Sequence, residues 1–176
     1  MNKWLAEIEG MFTSATAGMT EEQLGWHPEG KWSTAQILEH LCKTYSGTSL
    51  GYEKALGANR PLTTASTQRK QEVAKFVLLR VGYFPPGRKS PERVLPKGEW
   101  SGSAALSHMR EELAKMIQAQ IKAEQTFTGI KVLDHPVLGP LTPEQWAKFH
   151  YVHAKHHMKQ VVAMRRQMAT ARAARA

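Results

Sequence analysis

The 176-residue chain has one cysteine, Cys42, and no apolar run near the ~18 residues that a membrane-spanning helix needs. A lone thiol excludes an internal disulfide framework and a multi-cysteine zinc site. Acidic residues are scarce as well: 15 Asp and Glu stand against 24 Lys and Arg, a formal charge of +9. The first eighteen residues carry Lys3, Glu7 and Glu9 and hold no apolar core of signal-peptide length. A cytoplasmic chain without a membrane span is expected. No H-E-x-x-H, G-x-S-x-G or phosphate-cradling glycine loop occurs, which disfavours metalloprotease, serine hydrolase and P-loop chemistry. No useful strand-period segment and no internal repeat are found.

What is present is a globular composition, 41% hydrophobic and 22% charged, with five Trp, five Phe and eight Met to fill a core. The expected organisation is one domain over residues 1–168 and a flexible Ala/Arg tail over 169–176. The positive charge gathers in Arg69, Lys70, Lys75, Arg80, Arg88 and Lys89, and again in Arg165, Arg166, Arg172 and Arg175. Solvated helix faces account for such charge. No helix-turn-helix signature or basic-aromatic interleaving points to nucleic acid.

Four segments have helical spacing. The first, Asn2 to Ala17, places Trp4, Leu5, Ile8, Met11, Phe12 and Ala15 on one face, and Gly18 offers a stop. The second follows Ser33, an N-cap whose partner Gln36 completes a capping box, and runs through Ile37, Leu38, Leu41 and Tyr45 to about Ala55. The third runs from about Ser103 to Phe127, capped by Ser101 or Ser103. In the fourth, Thr142 caps and Pro143 takes the first helical position, with the helix continuing to about Thr170. Between the second and third, Ser66 to Val81 predicts a shorter helix with Val73, Phe76, Val77 and Leu79 or Arg80 on its faces. Phe84-Pro85-Pro86-Gly87, Ser90-Pro91 and Leu95-Pro96 then impose an irregular path. The fold expected is all-α: a four-helix bundle with a long crossover between its second and third helices containing an extra short helix.

Eight histidines remain as the only plentiful ligands for a borderline metal. His153 and His157 are four apart on the last helix, so their rings project from one side, one turn apart. Two imidazoles so placed can reach one ion, and His40, on the inner face of the second helix, is the best-placed third ligand. The pair His150 and His153, three apart, is an alternative, and His156 faces either solvent or the flank. Spacing leaves these choices open. Glu39 projects about 100° from His40 around the helix, which argues against a ligand role. Cys42 reads as a small buried hydrophobe, and Tyr45 and Tyr151 as packing or rim residues.

Trp32-Ser33-Thr34-Ala35-Gln36-Ile37-Leu38-Glu39-His40-Leu41 resembles the W-S-x-x-x-x-x-x-H-L segment of the DinB-like superfamily. His153-Ala154-Lys155-His156-His157-Met158-Lys159-Gln160 is similar to its H-x-x-H-H-x-x-Q. The stretch His135-Pro136 through Leu141-Thr142 to Trp146, together with Pro85-Pro86-Gly87 and Ser90-Pro91, resembles an uncharacterised branch of that superfamily. The resemblance spans Leu5 to Met164. It implies a four-helix bundle with one divalent metal, zinc or nickel, held by His40, His153 and His157. It further implies a metal-dependent transferase, isomerase or hydrolase-like enzyme whose cosubstrate is a low-molecular-weight thiol such as bacillithiol, mycothiol or glutathione, and a homodimer. His135 is expected to shape the start of the last helix, and Gln160 to hydrogen-bond beside the ligands. His27 and His108 are expected at the surface. A metal-stabilised, non-enzymatic interaction module is the competing class.

Overall fold

The computed structural model describes residues 2–63, 66–85 and 90–173, without the side chains of residues 172 and 173. Pro86, Gly87, Arg88, Lys89 and Arg175 lie outside the described residues, as does the Arg172 side chain.

Four long helices form the bundle: α1 (Lys3–Thr16), α3 (Thr34–Gly57), α5 (Gly102–Thr126) and α6 (Pro143–Ala173), with a short α2 (Glu21–Gly25) and α4 (Arg69–Lys75) between them. Helix α3 packs along α5, and α1 along α6. Local chemistry starts each of the four. Asn2 Oδ1 accepts from Trp4 N–H at 3.0 Å. Ser33 and Gln36 form the reciprocal capping box, with bonds of 2.9 and 3.2 Å. Ser101 caps α5, its oxygen accepting from Ala104 N–H at 3.2 Å. Thr142 and Gln145 satisfy each other's backbone N–H groups at the head of α6, at 3.0 and 3.3 Å. Each box meets orphan N–H groups that a buried helix start would otherwise leave bare.

The core divides into two clusters. One lies among the four helices around Phe12, Leu38, Leu41, Met109, Leu113 and Val161. The other lies toward the end of α3, around Tyr52, Leu79, Phe127, Leu138, Leu141 and Trp146. Tyr45 and Cys42 are buried in the first cluster, as packing residues. Tyr151 packs against Trp4 at 5.1 Å between centroids.

Three features depart from the sequence reading. The crossover helix begins at Arg69, not Ser66, and passes after Lys75 into a π-turn over Phe76–Val81. A π-turn takes in one extra residue and so re-phases the faces. Leu78 and Leu79 are buried, while Val73 and Phe76 are exposed. Gly82, in the left-handed region at φ 74°, ends the turn. Second, Thr20 and Gln23 form a capping box that starts α2, an element the apolar spacing does not announce. Third, a small antiparallel hairpin joins β1 (Leu133–His135) to β2 (Gly139–Leu141) in the register Leu133–Leu141. Strands of three residues are too short to show a period. Tertiary bonds hold this hairpin: Leu62 N–H donates to Val132 C=O at 2.9 Å, and Trp146 Nε1–H to Leu133 C=O at 3.3 Å.

The crossover is pinned to α3. The buried Glu39 carboxylate accepts from Lys97 and Gly98 N–H, both at 2.9 Å, and from Lys43 Nζ at 2.7 Å. Burial alone would raise this carboxyl, but the Lys43 ammonium and the two N–H donors outweigh it and hold it below the usual range. Lys43 Nζ also donates to Leu95 C=O at 2.7 Å.

Two glycines should respond in opposite directions to alanine substitution. At Gly102 a Cβ would collide with Leu24, where the Glu21 carboxylate also binds the Gly102 and Ser103 N–H groups. Gly102→Ala should cost roughly 1–3 kcal/mol. At Gly10, inside α1, a Cβ meets nothing within 4 Å. Gly10→Ala should add about 0.5–1 kcal/mol. Chemical denaturation of both variants checks the pair.

Candidate metal centre

Helix α3 presents His40, and α6 presents His153 and His157, the last two on one side of their helix because they are four residues apart. All three are buried, and one ring nitrogen from each lies within 4.8 Å of the other two. His153 Nε2 is 3.2 Å from His40 Nε2 and 3.0 Å from His157 Nε2.

The outer partners set the tautomers. Val94 C=O can only accept, so the 2.7 Å contact places a proton on His40 Nδ1. His157 Nδ1–H likewise donates to Gln160 Oε1 at 2.8 Å. In the neutral rings both Nε2 atoms are then bare acceptors, and both face His153 Nε2. A single Nε2–H on His153 serves one of them and leaves the other facing nitrogen. A cation at the convergence satisfies all three. Metal–nitrogen bonds of about 2.0–2.1 Å at tetrahedral angles put ligand atoms about 3.3 Å apart, close to the two separations seen. The three residues therefore fit one divalent ion as neutral donors.

Electrostatics favour the neutral state. Burial, followed by the neighbouring imidazoles, holds His153 well below the usual histidine range. Burial and His40 push His157 down to about 3. Burial lowers His40 too, against the upward pull of its bond to Val94. His153 Nδ1 is buried without a hydrogen-bond partner. Stacking orients that ring instead: Phe84 and Phe149 each lie 5.3 Å from it, both inclined by 20°. Trp32 covers the other two rings, 5.1 Å from His40 and 6.4 Å from His157.

The alternatives separate cleanly. His150 does not join the cluster; its Nε2 is 3.0 Å from Thr48 Oγ1. Because Thr48 Oγ1 gives its proton to Thr44 C=O at 3.1 Å, His150 Nε2–H must be the donor to Thr48. Complete burial pushes it down to about 3. His156 is half-buried at the rim, stacked on Phe84 at 4.7 Å and bonded to Gln160 Nε2 at 3.2 Å. His135 accepts from Val137 and Leu138 N–H, both at 3.1 Å, and packs against Trp146 and Phe149 at the head of α6. His27 and His108 are exposed. Glu39 is committed to the crossover backbone.

Helical spacing did not reveal Phe84 or Val94. Phe84 sits before a proline pair in irregular chain, and Val94 contributes a main-chain oxygen that carries no side-chain signal. The histidines form part of the wall of a cleft of about 1470 Å³ between α3, α6, the crossover and the hairpin.

The chain belongs to a family described as a protein of unknown function, DUF1569, which it matches over residues 13–164. It is 25% identical over 145 residues to the uncharacterized protein YuaE of Bacillus subtilis (strain 168), covering 82% of this chain and 84% of that one. The solved structure of YfiT from Bacillus subtilis, described as a probable metal-dependent hydrolase with an unusual four-helix bundle topology, superposes with a TM-score of 0.59 at 18% identity. That match covers 95% of this chain and 85% of YfiT. The bundle fold is thereby shared.

The depressed histidines predict a pH dependence. Below about 6.5 an unfolded histidine binds a proton that folded His150 and His157 refuse until about 3. Their contribution is thus complete above 6.5 and lost as pH falls from 6.5 toward 3. Each should give a slope of up to about 1.4 kcal/mol per pH unit. Denaturation of chelator-treated protein across this range should show it, with a shallower slope in His150→Leu.

Proposed function

We propose that the chain is a divalent-metal-dependent enzyme, with His40, His153 and His157 as its three protein ligands and zinc or nickel as the ion. The observation that carries this is the pair of bare Nε2 atoms, oriented by Val94 C=O and Gln160, meeting the third within 3.2 Å. The words printed for YfiT and the resemblance of both histidine segments to the DinB-like superfamily support the same reading. Three neutral ligands leave the ion an open position, where its Lewis acidity can lower the pKa of a water or a thiol.

The surrounding residues supply the rest. Val94 C=O and Gln160 hold His40 and His157 in the ligating tautomer, as outer partners of metal-bound histidines do. Trp32, Phe84 and Phe149 dry the histidine end and stiffen the rings. The cleft beside them takes a small-molecule substrate. Two reactions share this apparatus: hydrolysis, in keeping with the description of YfiT, and transfer of a low-molecular-weight thiol, implied by the DinB-like resemblance. We take hydrolysis as the primary reading.

Purified protein should hold about one divalent ion per chain, and His40→Ala, His153→Ala or His157→Ala should each abolish it. Gln160→Ala should weaken metal affinity by roughly 10–100-fold while leaving the fold intact. Elemental analysis and competition with a chelating dye measure both. Unchanged metal content in the histidine variants overturns the ligand assignment. A cobalt-substituted sample distinguishes the reactions: a spectrum moved by bacillithiol, mycothiol or glutathione indicates the thiol cosubstrate, and an unmoved one leaves hydrolysis.

A further inference from the structure

The cleft is far larger than an ion and its open position require. A small-molecule pocket is typically about 300–1,000 Å³, and this cleft is about 1470 Å³. The histidines occupy one end. Beyond His40 the cleft follows α3 past Thr44, Gly47, Thr48 and Gly51, all small. From His40 to Gly51 is eleven residues, about 16 Å of helix. A Cβ at Gly47 would meet no atom within 4 Å, so this wall borders open space. The opposing surfaces are apolar: Phe149 and Trp146 from α6, Val77 and Leu78 from the π-turn, and Leu138 from the hairpin.

Among the described residues that line the cleft, no charged side chain is buried. Glu29, Lys31, Lys70, Arg93 and Asp134 are exposed, and Lys43 is held by Glu39 and Leu95 C=O. His150 donates to Thr48 and Thr48 to Thr44, while the buried His150 Nδ1 has no hydrogen-bond partner. A charged ligand group pressed against these apolar walls would lose hydration with no buried counter-ion beside it, at a cost that an apolar group does not incur.

We propose that this arm binds an extended, uncharged aliphatic or aromatic portion of the substrate, whose reacting head lies at the histidine end. The substrate class is therefore an apolar chain or ring system with a metal-seeking head. The location of the head rests on the metal reading above; the arm itself does not.

The first test omits the metal. Straight-chain 1-alkanols from butanol to decanol, titrated into chelator-treated full-length protein, should quench or shift Trp146 fluorescence saturably. Affinity should rise about two- to fourfold per added methylene. Gly47→Phe, which fills the arm, and Leu50→Glu, which places a charge on its half-exposed wall, should each remove most of that rise. Leu50 is 52% exposed, so its variant should keep the fold. Absence of saturable binding, or the same chain-length dependence in both variants, overturns the proposal.

The second test uses zinc-loaded protein and two hydroxamates. Octanohydroxamate should bind at least tenfold more tightly than acetohydroxamate, and Gly47→Phe should erase the difference. If acetohydroxamate binds and chain length has no effect, the apolar arm is overturned. If acetohydroxamate fails while alkanols still bind, the metal reading falls and the arm stands.

Discussion

One turn of α3 holds both the histidine cluster and the loop that covers it. Glu39 and His40 are adjacent and point in different directions. Glu39 grips the backbone N–H groups of Lys97 and Gly98, and His40 grips the carbonyl of Val94. The same bond that fixes the His40 tautomer therefore also fastens the crossover over the site. Without it, the long irregular connection between α3 and α5 would have few reasons to pass this way.

That constraint explains how the protein keeps imidazoles buried. A histidine removed from water is expensive as a cation and tolerable as a neutral ring. His40 and His157 each place their one N–H on an outer acceptor, leaving bare nitrogens facing inward. His153 is different: no acceptor meets its Nδ1, and two phenyl rings hold it. The site thus combines directional hydrogen bonds on two rings with shape alone on the third. The neighbouring His150 solves the same burial problem against Thr48, and so belongs to the wall of the cleft.

Much of the architecture was legible in the sequence because its signals are local. Apolar spacing marked the four bundle helices, and Ser33, Ser101 and Thr142 announced where three of them begin. The Thr20–Gln23 box was equally local, but it starts a helix too short to carry an apolar stripe. The hairpin left no period in strands of three residues, and long-range bonds to Leu62 and Trp146 sustain it. In the crossover helix Val73 and Phe76 face outward while Leu78 and Leu79 face inward, because packing against the rest of the molecule chooses the buried face. Within the site, the spacing of His153 and His157 was readable and His40 was the best-placed third residue, whereas the choice between His157 and His150 stayed open until α3 and α6 were seen side by side.

The sequence by itself determined which residues share a helix face, because the helical repeat sets those positions regardless of what the helix meets. It therefore determined the bundle and most of its caps, and placed His150, His153 and His157 close enough along one helix for two of them to share an ion. Only the tertiary structure brought His40 of α3 against His153 and His157 and left His150 outside the cluster, since distances between helices depend on packing across the whole core. It alone also supplied the Val94 carbonyl, the Phe84 stack and the apolar walls of the cleft beyond them. Main-chain acceptors and cavities have no residue code; they exist only where distant segments are brought together.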